Sequence, residues 1–434
     1  MQTTAVLEHT IEHTMENSKL AWVVTLTAAL YFFYEFIQMH LFNPINPQIK
    51  EAFQLNATQL GFLDSMYFWG NVLFLFPAGM LLDRFSTRRM LLMAVTVTTL
   101  GTFSFGLAQN YYIAAVSRLA IGLGASFCFL SCIRLASRWF PPKKMAFVTG
   151  AIVTFAMFGG MIAQTPLALL SSALGWRHAV LTIAALGILV GLAISLYVQD
   201  RPPGSQEIAA SDKAKLASLG FWRSIGLVLM NPQNWFGGLY TSLMNLPVFL
   251  LGAIWGIPYL EQVHHVTHIQ ASYATSLFFV GVIFGSLAYG KFSDTIGRRI
   301  LPMVLGAVIS LITMLVLIYV PNLSLNTLLF LFFAIGFVTS SQVLSYPTLA
   351  ELNPRSLTST AISVDSVTIM TSGLLCQPFF GWLLELNWDH KVIDGVSIYS
   401  AHDYQLAMLM MPISIVVALV ITFFMRETYC KQQG

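Results

Sequence analysis

Two stretches decide how this chain reads: Gly79-Met80-Leu81-Leu82-Asp83-Arg84-Phe85-Ser86-Thr87-Arg88-Arg89 and Gly290-Lys291-Phe292-Ser293-Asp294-Thr295-Ile296-Gly297-Arg298-Arg299. Gly79, Asp83 and Arg88 map onto Gly290, Asp294 and Arg299 with a single offset of 211 residues. Half of the 434-residue chain is about 217 residues, so a duplicated half is the simplest account. Each copy lies between two long apolar runs, which makes it a short polar loop joining two buried helices.

The composition around these loops agrees. Of all residues 56% are hydrophobic and only 9% charged, where a soluble domain carries roughly a quarter charged. Apolar windows recur near 19–42, 57–82, 89–109, 111–135, 145–170, 178–198, 234–260, 270–293, 300–320, 324–349, 358–385 and 404–425. Twelve crossings from an inside start place eighteen Lys and Arg on the inside. Only Lys50, Arg177 and Lys391 fall outside, and Arg118 alone lies within a span. That asymmetry is the one expected of an inner (plasma) membrane protein with both termini cytoplasmic.

The reading divides the chain into a cytoplasmic tail (1–18), a six-helix half (19–198), a linker (199–233), a second six-helix half (234–425) and a second tail (426–434). The linker is the longest polar connection and opens on Arg201-Pro202-Pro203-Gly204. Residues 1–18 carry Glu8, Glu12 and Glu16 and lack the basic start of a signal peptide. A net charge of +3 without an aromatic-basic stripe argues against a nucleic-acid partner. Cys128, Cys132, Cys376 and Cys430 sit in or beside apolar segments and offer no disulfide framework.

The paired loops resemble the signature that joins helices two and three, and eight and nine, in the major facilitator superfamily. Arg118-Leu119-Ala120-Ile121-Gly122-Leu123-Gly124-Ala125 is similar to the second signature of that family, an intramembrane arginine followed by small residues. The resemblance covers the whole chain and implies an all-α fold of twelve transmembrane helices. It also implies a conformational latch made of Gly79, Asp83, Arg84, Arg88 and Arg89 in one copy and Gly290, Asp294, Gly297, Arg298 and Arg299 in the other. On that pattern Asp83 faces the start of span eleven near Ser359, and Asp294 the start of span five near Ala146, each acid against a positive helix end. The glycines would let a neighbouring helix approach. Ser86 and Thr295 depart from the pattern, where a glycine and a base are usual, and the span-five signature of drug and proton antiporters is not matched.

Charges within spans are costly and mark candidate sites, here Glu35, Asp64, Arg118 and Asp365. By position along their helices the first three share one layer roughly 10 Å below the outer surface, and Asp365 lies roughly 10 Å from the inner one. An ion pair that only fixes packing is the competing reading. Tyr31, Glu35, Gln38 and Phe42 share one face of span one. By resemblance Asn245 and Trp255 of span seven and Gln342 of span ten join the central cavity. Gln164 and Gln377 are weaker candidates, because amides also serve as glue between helices. His264, His265 and His268 form an outer cluster that lacks Cys or acidic partners at metal-ligand spacing, and Pro166 and Pro258 imply bends.

The expectation is a secondary transporter that moves a small organic solute by alternating access. No G-x-x-x-x-G-K-[ST] loop is present, so an ion gradient supplies the energy, with protons as coupling ion and Glu35 as first carrier. One cation among several acids, amides and aromatics suits a zwitterion such as an amino acid, or an amphipathic molecule such as a siderophore, better than a polyanion. An efflux pump is an alternative direction. A passive channel or a membrane enzyme is disfavoured, for want of a filter repeat or a catalytic constellation. No cofactor or metal is called for, and lipid and the solute are the partners of what is expected to be a functional monomer.

Overall fold

The computed structural model describes residues 19–140, 145–202, 226, 228–353, 358–393 and 396–431. The tail at 1–18 and most of the linker lie outside them, as do Pro141 to Lys144. Six crossings form the first half. They are α1 (Lys19–His40), continued by α2 (Phe42–Phe53); α3 (Ala57–Arg84); α4 (Thr87–Leu107); α5 (Tyr111–Ala125) with α6 (Cys128–Trp139); α7 (Met145–Ile162) with α8 (Thr165–Leu174); and α9 (Trp176–Tyr197). The second half holds α10 (Pro232–Met244), a π-helix (Val248–Trp255) and α11 (Gly256–His264) as one crossing, then α12 (His268–Ile296) and α13 (Ile300–Tyr319). Next come α14 (Leu325–Thr339), a 3-10 turn (Ser340–Leu344) and α15 (Ser345–Leu352) as one crossing, α16 (Thr358–Glu385), and α17 (Ala401–Met408) with α18 (Met410–Thr422).

Eleven of these segments are long and apolar enough to cross a membrane by composition among the described residues, and α3, at 28 residues, is the twelfth crossing. One departure from the all-α expectation is a small antiparallel hairpin, β1 (Val392–Ile393) with β2 (Val396–Ser397), between the last two crossings. With twelve crossings both chain ends emerge on one face, called here the terminal face; the opposite one is the distal face.

Proline positions explain most of the breaks. Pro44 has no N–H to offer the His40 carbonyl, and the first helix breaks at Leu41, so span one carries a distal extension beyond its expected end at 42. Pro166 sits in the first turn of α8, just after the break at Ala163 and Gln164. Pro247 leaves the Leu243 carbonyl without its helical partner, and Ser414 donates to it at 3.2 Å. In span ten Pro347 has no N–H to offer the Val343 carbonyl, within the 3-10 turn. There Thr339 and Ser340 return their hydroxyls to the carbonyls of Ile335 and Gly336, at 2.7 and 2.8 Å, where the helix tightens into the 3-10 turn.

The two loops that define the repeat are tied down within their own halves by an acid from the end of each half. Asp200, after the sixth crossing, accepts from Ser86 Oγ and from the Arg88 amide, the latter at 2.8 Å. Glu427, after the twelfth, accepts from the amides of Arg299 and Ile300 at 2.8 and 2.9 Å. Both carboxylates cap a helix N-terminus, where orphan amides and the helix dipole favour negative charge. Ser86, where the family pattern has glycine, is thus a capping residue.

Candidate functional site

The two halves are joined at the distal face. Asn43 on α2 donates to Gln164 Oε1 at 2.9 Å and to the carbonyls of Leu251 and Gly252 at 3.0 and 3.2 Å, and accepts from the Ile257 amide at 2.9 Å. Gln164 adds a bond to the Gly252 carbonyl at 2.9 Å. Asn46 donates to the Ile254 carbonyl at 2.7 Å. Glu385 accepts from the Thr58 amide and hydroxyl at 3.0 and 2.8 Å, and Thr165 meets Ser276 at 2.8 Å. Most of these bonds set a side chain of one half against the disrupted backbone of the other.

Lys50 completes the seal. It is 1% exposed, with its ammonium 5.3 Å from the Trp255 ring centre and 4.7 Å from that of Tyr399. Burial pushes its pKa down to about 7, against the opposing pull of Glu385. The hairpin segment folds over this point, with Tyr399 donating its amide to Gln262 at 3.0 Å. Trp255, expected in the central cavity, is therefore part of the distal seal, its ring tilted against Phe380 at 5.5 Å. The sequence marked Lys50 only as an outer charge, since burial by a hairpin from the far end of the chain leaves no local trace.

Below the seal the structure brings together the expected charge layer. Arg118 and Asp64 form an ion pair with both side chains fully buried. The guanidinium also donates to the Gln38 carbonyl at 2.8 Å and lies over the rings of Phe42 and Tyr67 at 4.6 and 5.2 Å. Glu35 is 4% exposed, has no hydrogen bond or ion pair among the described residues, and feels the Arg118 charge. One cation thus stands beside two acids and is paired with one of them. Both amide atoms of Gln38 are buried without partners, as are Tyr67 Oη and Asn71 Oδ1. Tyr31 turns its hydroxyl away from this layer, to Thr98 at 2.8 Å.

Between the halves, Phe36, Met39, Tyr67, Phe68, Phe249 and Ile369 make one apolar cluster, with Phe68 edge-on to Phe249 at 5.2 Å. On the second half Gln342 donates to Asn245 at 2.9 Å, joining spans ten and seven at their breaks. Gln377 donates to the Phe249 carbonyl at 3.5 Å and lies beside Asp64, and Gln164 is glue in the distal seal. Asp365 is fully buried and lies apart from the charge layer.

The latch residues divide. Arg299 binds Asp294 and Glu351, each at 2.7 Å, within its own half. Burial works against the Arg299 charge, but the hydrogen bonds it donates to Glu351 and Asp294 outweigh it and raise its pKa. Gly297 takes φ +64° to end α12. Arg88 and Arg89 open α4. The side chains of Asp83, Arg84, Ser359 and Ala146 lie outside the described residues, and so does the contact expected between them. Among the described residues no atom lies within 4 Å of where a Cβ would stand at Gly79 or Gly290, so the close neighbour expected of them is not among those residues.

Elsewhere, His268 pairs with Glu261 at 2.8 Å and His264 with Tyr259 at 3.0 Å. No group of three or more His, Cys, Asp or Glu with metal-binding geometry occurs among the described residues.

The family model described as Major Facilitator Superfamily matches residues 25–256 and again 238–431. The chain belongs to that superfamily. It is a multi-pass membrane transporter and not an enzyme. A probable galactarate/D-glucarate transporter, GarP, of Escherichia coli K12 is 23% identical over 78% of this chain and 82% of its own length. The uncharacterized transporter YybO of Bacillus subtilis is 28% identical, but the match spans about two fifths of either protein, 38% of each. Among solved structures, a D-xylose-proton symporter superposes with a TM-score of 0.75 at 15% identity, covering 95% of this chain and 99% of that one. A bacterial homolog to the human lysosomal transporter Spinster, in an inward-facing and unoccupied conformation, gives 0.73 at 19%, covering 94% and 97%. These likenesses carry the fold.

Proposed function

We propose that this facilitator couples uptake of a small organic solute to protons in an inner membrane, with the terminal face cytoplasmic. One observation carries the reading: Glu35 is a buried carboxylate without a partner beside an arginine already paired to Asp64. A charge there is costly unless neutralised, so a carboxylate that gains and loses a proton as access alternates is suited to coupling. The distal seal among the described residues supports an inward-facing reading. The Lys and Arg distribution supports the orientation.

The cavity chemistry favours a solute with balanced charge and an apolar part, such as an amino acid. The central cluster is aromatic and aliphatic, and the single arginine is neutralised within its own half. A sugar-acid substrate is the second reading, on the strength of relatives named for galactarate/D-glucarate and L-galactonate transport.

Uptake into proteoliposomes tests both. Amino acids and hexuronates are offered with and without an imposed proton gradient. Uphill accumulation that needs the gradient in the parent, lost in Glu35→Gln while downhill counterflow persists, is the expected result. Accumulation by Glu35→Gln equal to the parent would move the coupling role elsewhere.

A further inference from the structure

We infer that Trp255, Tyr399 and Glu385 of the second half form a recognition site for an organic ammonium on the distal side, and that the Lys50 ammonium of the first half occupies this site whenever the distal face is closed. The inference rests on the uptake reading above and adds to it the end of the solute that is met first.

The site is recognised by its present occupant. Lys50 is a flexible aliphatic chain that ends in an ammonium, and that ammonium lies over two aromatic faces at once, 5.3 Å from the centre of Trp255 and 4.7 Å from that of Tyr399. Both distances fall within the roughly 6 Å over which a ring face attracts a cation. The rings are themselves positioned by the second half. Trp255 rests against Phe380 at 5.5 Å, and the Tyr399 amide donates to Gln262 at 3.0 Å. Glu385, the last residue of α16, adds a negative charge that acts on both Lys50 and Tyr399. Aromatic faces are negative, so two of them beside an acid attract an alkylammonium and repel an anion.

Site and occupant stand on opposite sides of the seam between the halves. Lys50 belongs to α2, whereas the two rings and the acid move with the second half. The first half also supplies Glu385 with the amide and hydroxyl of Thr58, at 3.0 and 2.8 Å. Parting the halves at the distal face therefore takes the ammonium from the rings and two donors from the acid in one movement. What stays on the second half is a pair of ring faces and a carboxylate that have given up these partners to distal solvent.

An arriving ammonium and Lys50 cannot hold the rings together, so closure is an exchange. Lys50 takes back the rings as the halves meet and releases the solute from them. A primary ammonium on the distal side thus opposes closure in proportion to its concentration, and an uncharged molecule of the same shape does not.

n-Propylammonium restores the part of the side chain that Lys50→Ala removes and keeps its proton at neutral pH, which makes it the probe, with 1-propanol as the uncharged control. In purified full-length Lys50→Ala the site is vacated, and n-propylammonium should raise the melting temperature saturably, whereas 1-propanol should not. The parent, whose site is filled, should gain no such stabilisation, and neither should Lys50→Ala combined with Trp255→Leu. If Lys50→Ala does not fold, the parent supplies the test: n-propylammonium should raise thiol labelling of a single distal cysteine several-fold, and Tyr399→Leu should abolish that response whatever its basal labelling. Equal effects of n-propylammonium and 1-propanol would reduce the site to an apolar void and overturn the inference, as would no effect of either, or a response that survives loss of the rings. Neither measurement uses a gradient or a transported solute, so its outcome is independent of the accumulation assay that tests Glu35.

Discussion

Asn46 of the first half donates to the main-chain carbonyl of Ile254 in the second at 2.7 Å, and that carbonyl is available because the residue four positions on is Pro258. A proline removes the amide that would have closed this turn, and the freed acceptor becomes the docking point for the opposite half. The distal closure is thus written into a helix defect.

Asn46→Ala should loosen that closure. A net loss of about 0.5 to 1.5 kcal/mol for one hydrogen bond shifts a balanced equilibrium several-fold toward the distally open form. Asn43→Ala, which removes more bonds, should act more strongly. Thiol labelling of single cysteines from the distal side reports the population, and unchanged labelling in both variants would remove these bonds from the gate.

The Arg118 and Asp64 pair should behave as a unit. Arg118→Ala leaves a buried carboxylate without compensation, at a cost of about 3 to 5 kcal/mol, and should lose transport and thermal stability. Adding Asp64→Asn should restore much of the stability, measured by thermal unfolding in detergent. A double variant no more stable than Arg118→Ala would mean that Asp64 is not the charge left behind.

Lys50 makes the distal seal sensitive to pH. Its pKa is about 7 when buried and near 10.5 when exposed, so the open form binds more protons between those values. Closure therefore strengthens as pH rises through that window, and the penalty is fully present below about pH 7. Distal labelling should fall from pH 7 to pH 10 in the parent. Lys50→Met should be closed throughout and insensitive to pH; a parent with flat labelling would show that the ammonium leaves the seal uncharged or exposed.

The paired helix caps predict matched effects in the two halves. Asp200→Ala and Glu427→Ala each remove a carboxylate from a helix N-terminus, worth about 0.3 to 2 kcal/mol. Both variants should lower the melting temperature by a few degrees and leave the solute affinity unchanged. A change in affinity without a change in stability would give these acids a role in the solute path.

Much of the architecture was legible because its signals are local. Apolar window length, the bias of Lys and Arg, and the 211-residue repeat are properties of neighbouring residues in the chain. Helical periodicity also brought Glu35, Asp64 and Arg118 to a common depth, since rise per residue converts position into depth along a helix. Proline positions announced the bends at Pro166 and Pro258.

Partnership was decided by the tertiary structure alone. Which acid Arg118 takes depends on how spans two and four face each other, and the pairing with Asp64 leaves Glu35 free. Asp200 and Glu427 cap the repeated loops only because the ends of the halves fold back onto them. Lys50 became a buried residue of the distal seal because a hairpin some 340 residues away closes over it. A sequence fixes which groups are costly to bury; only packing across the fold decides which of them are left without a partner.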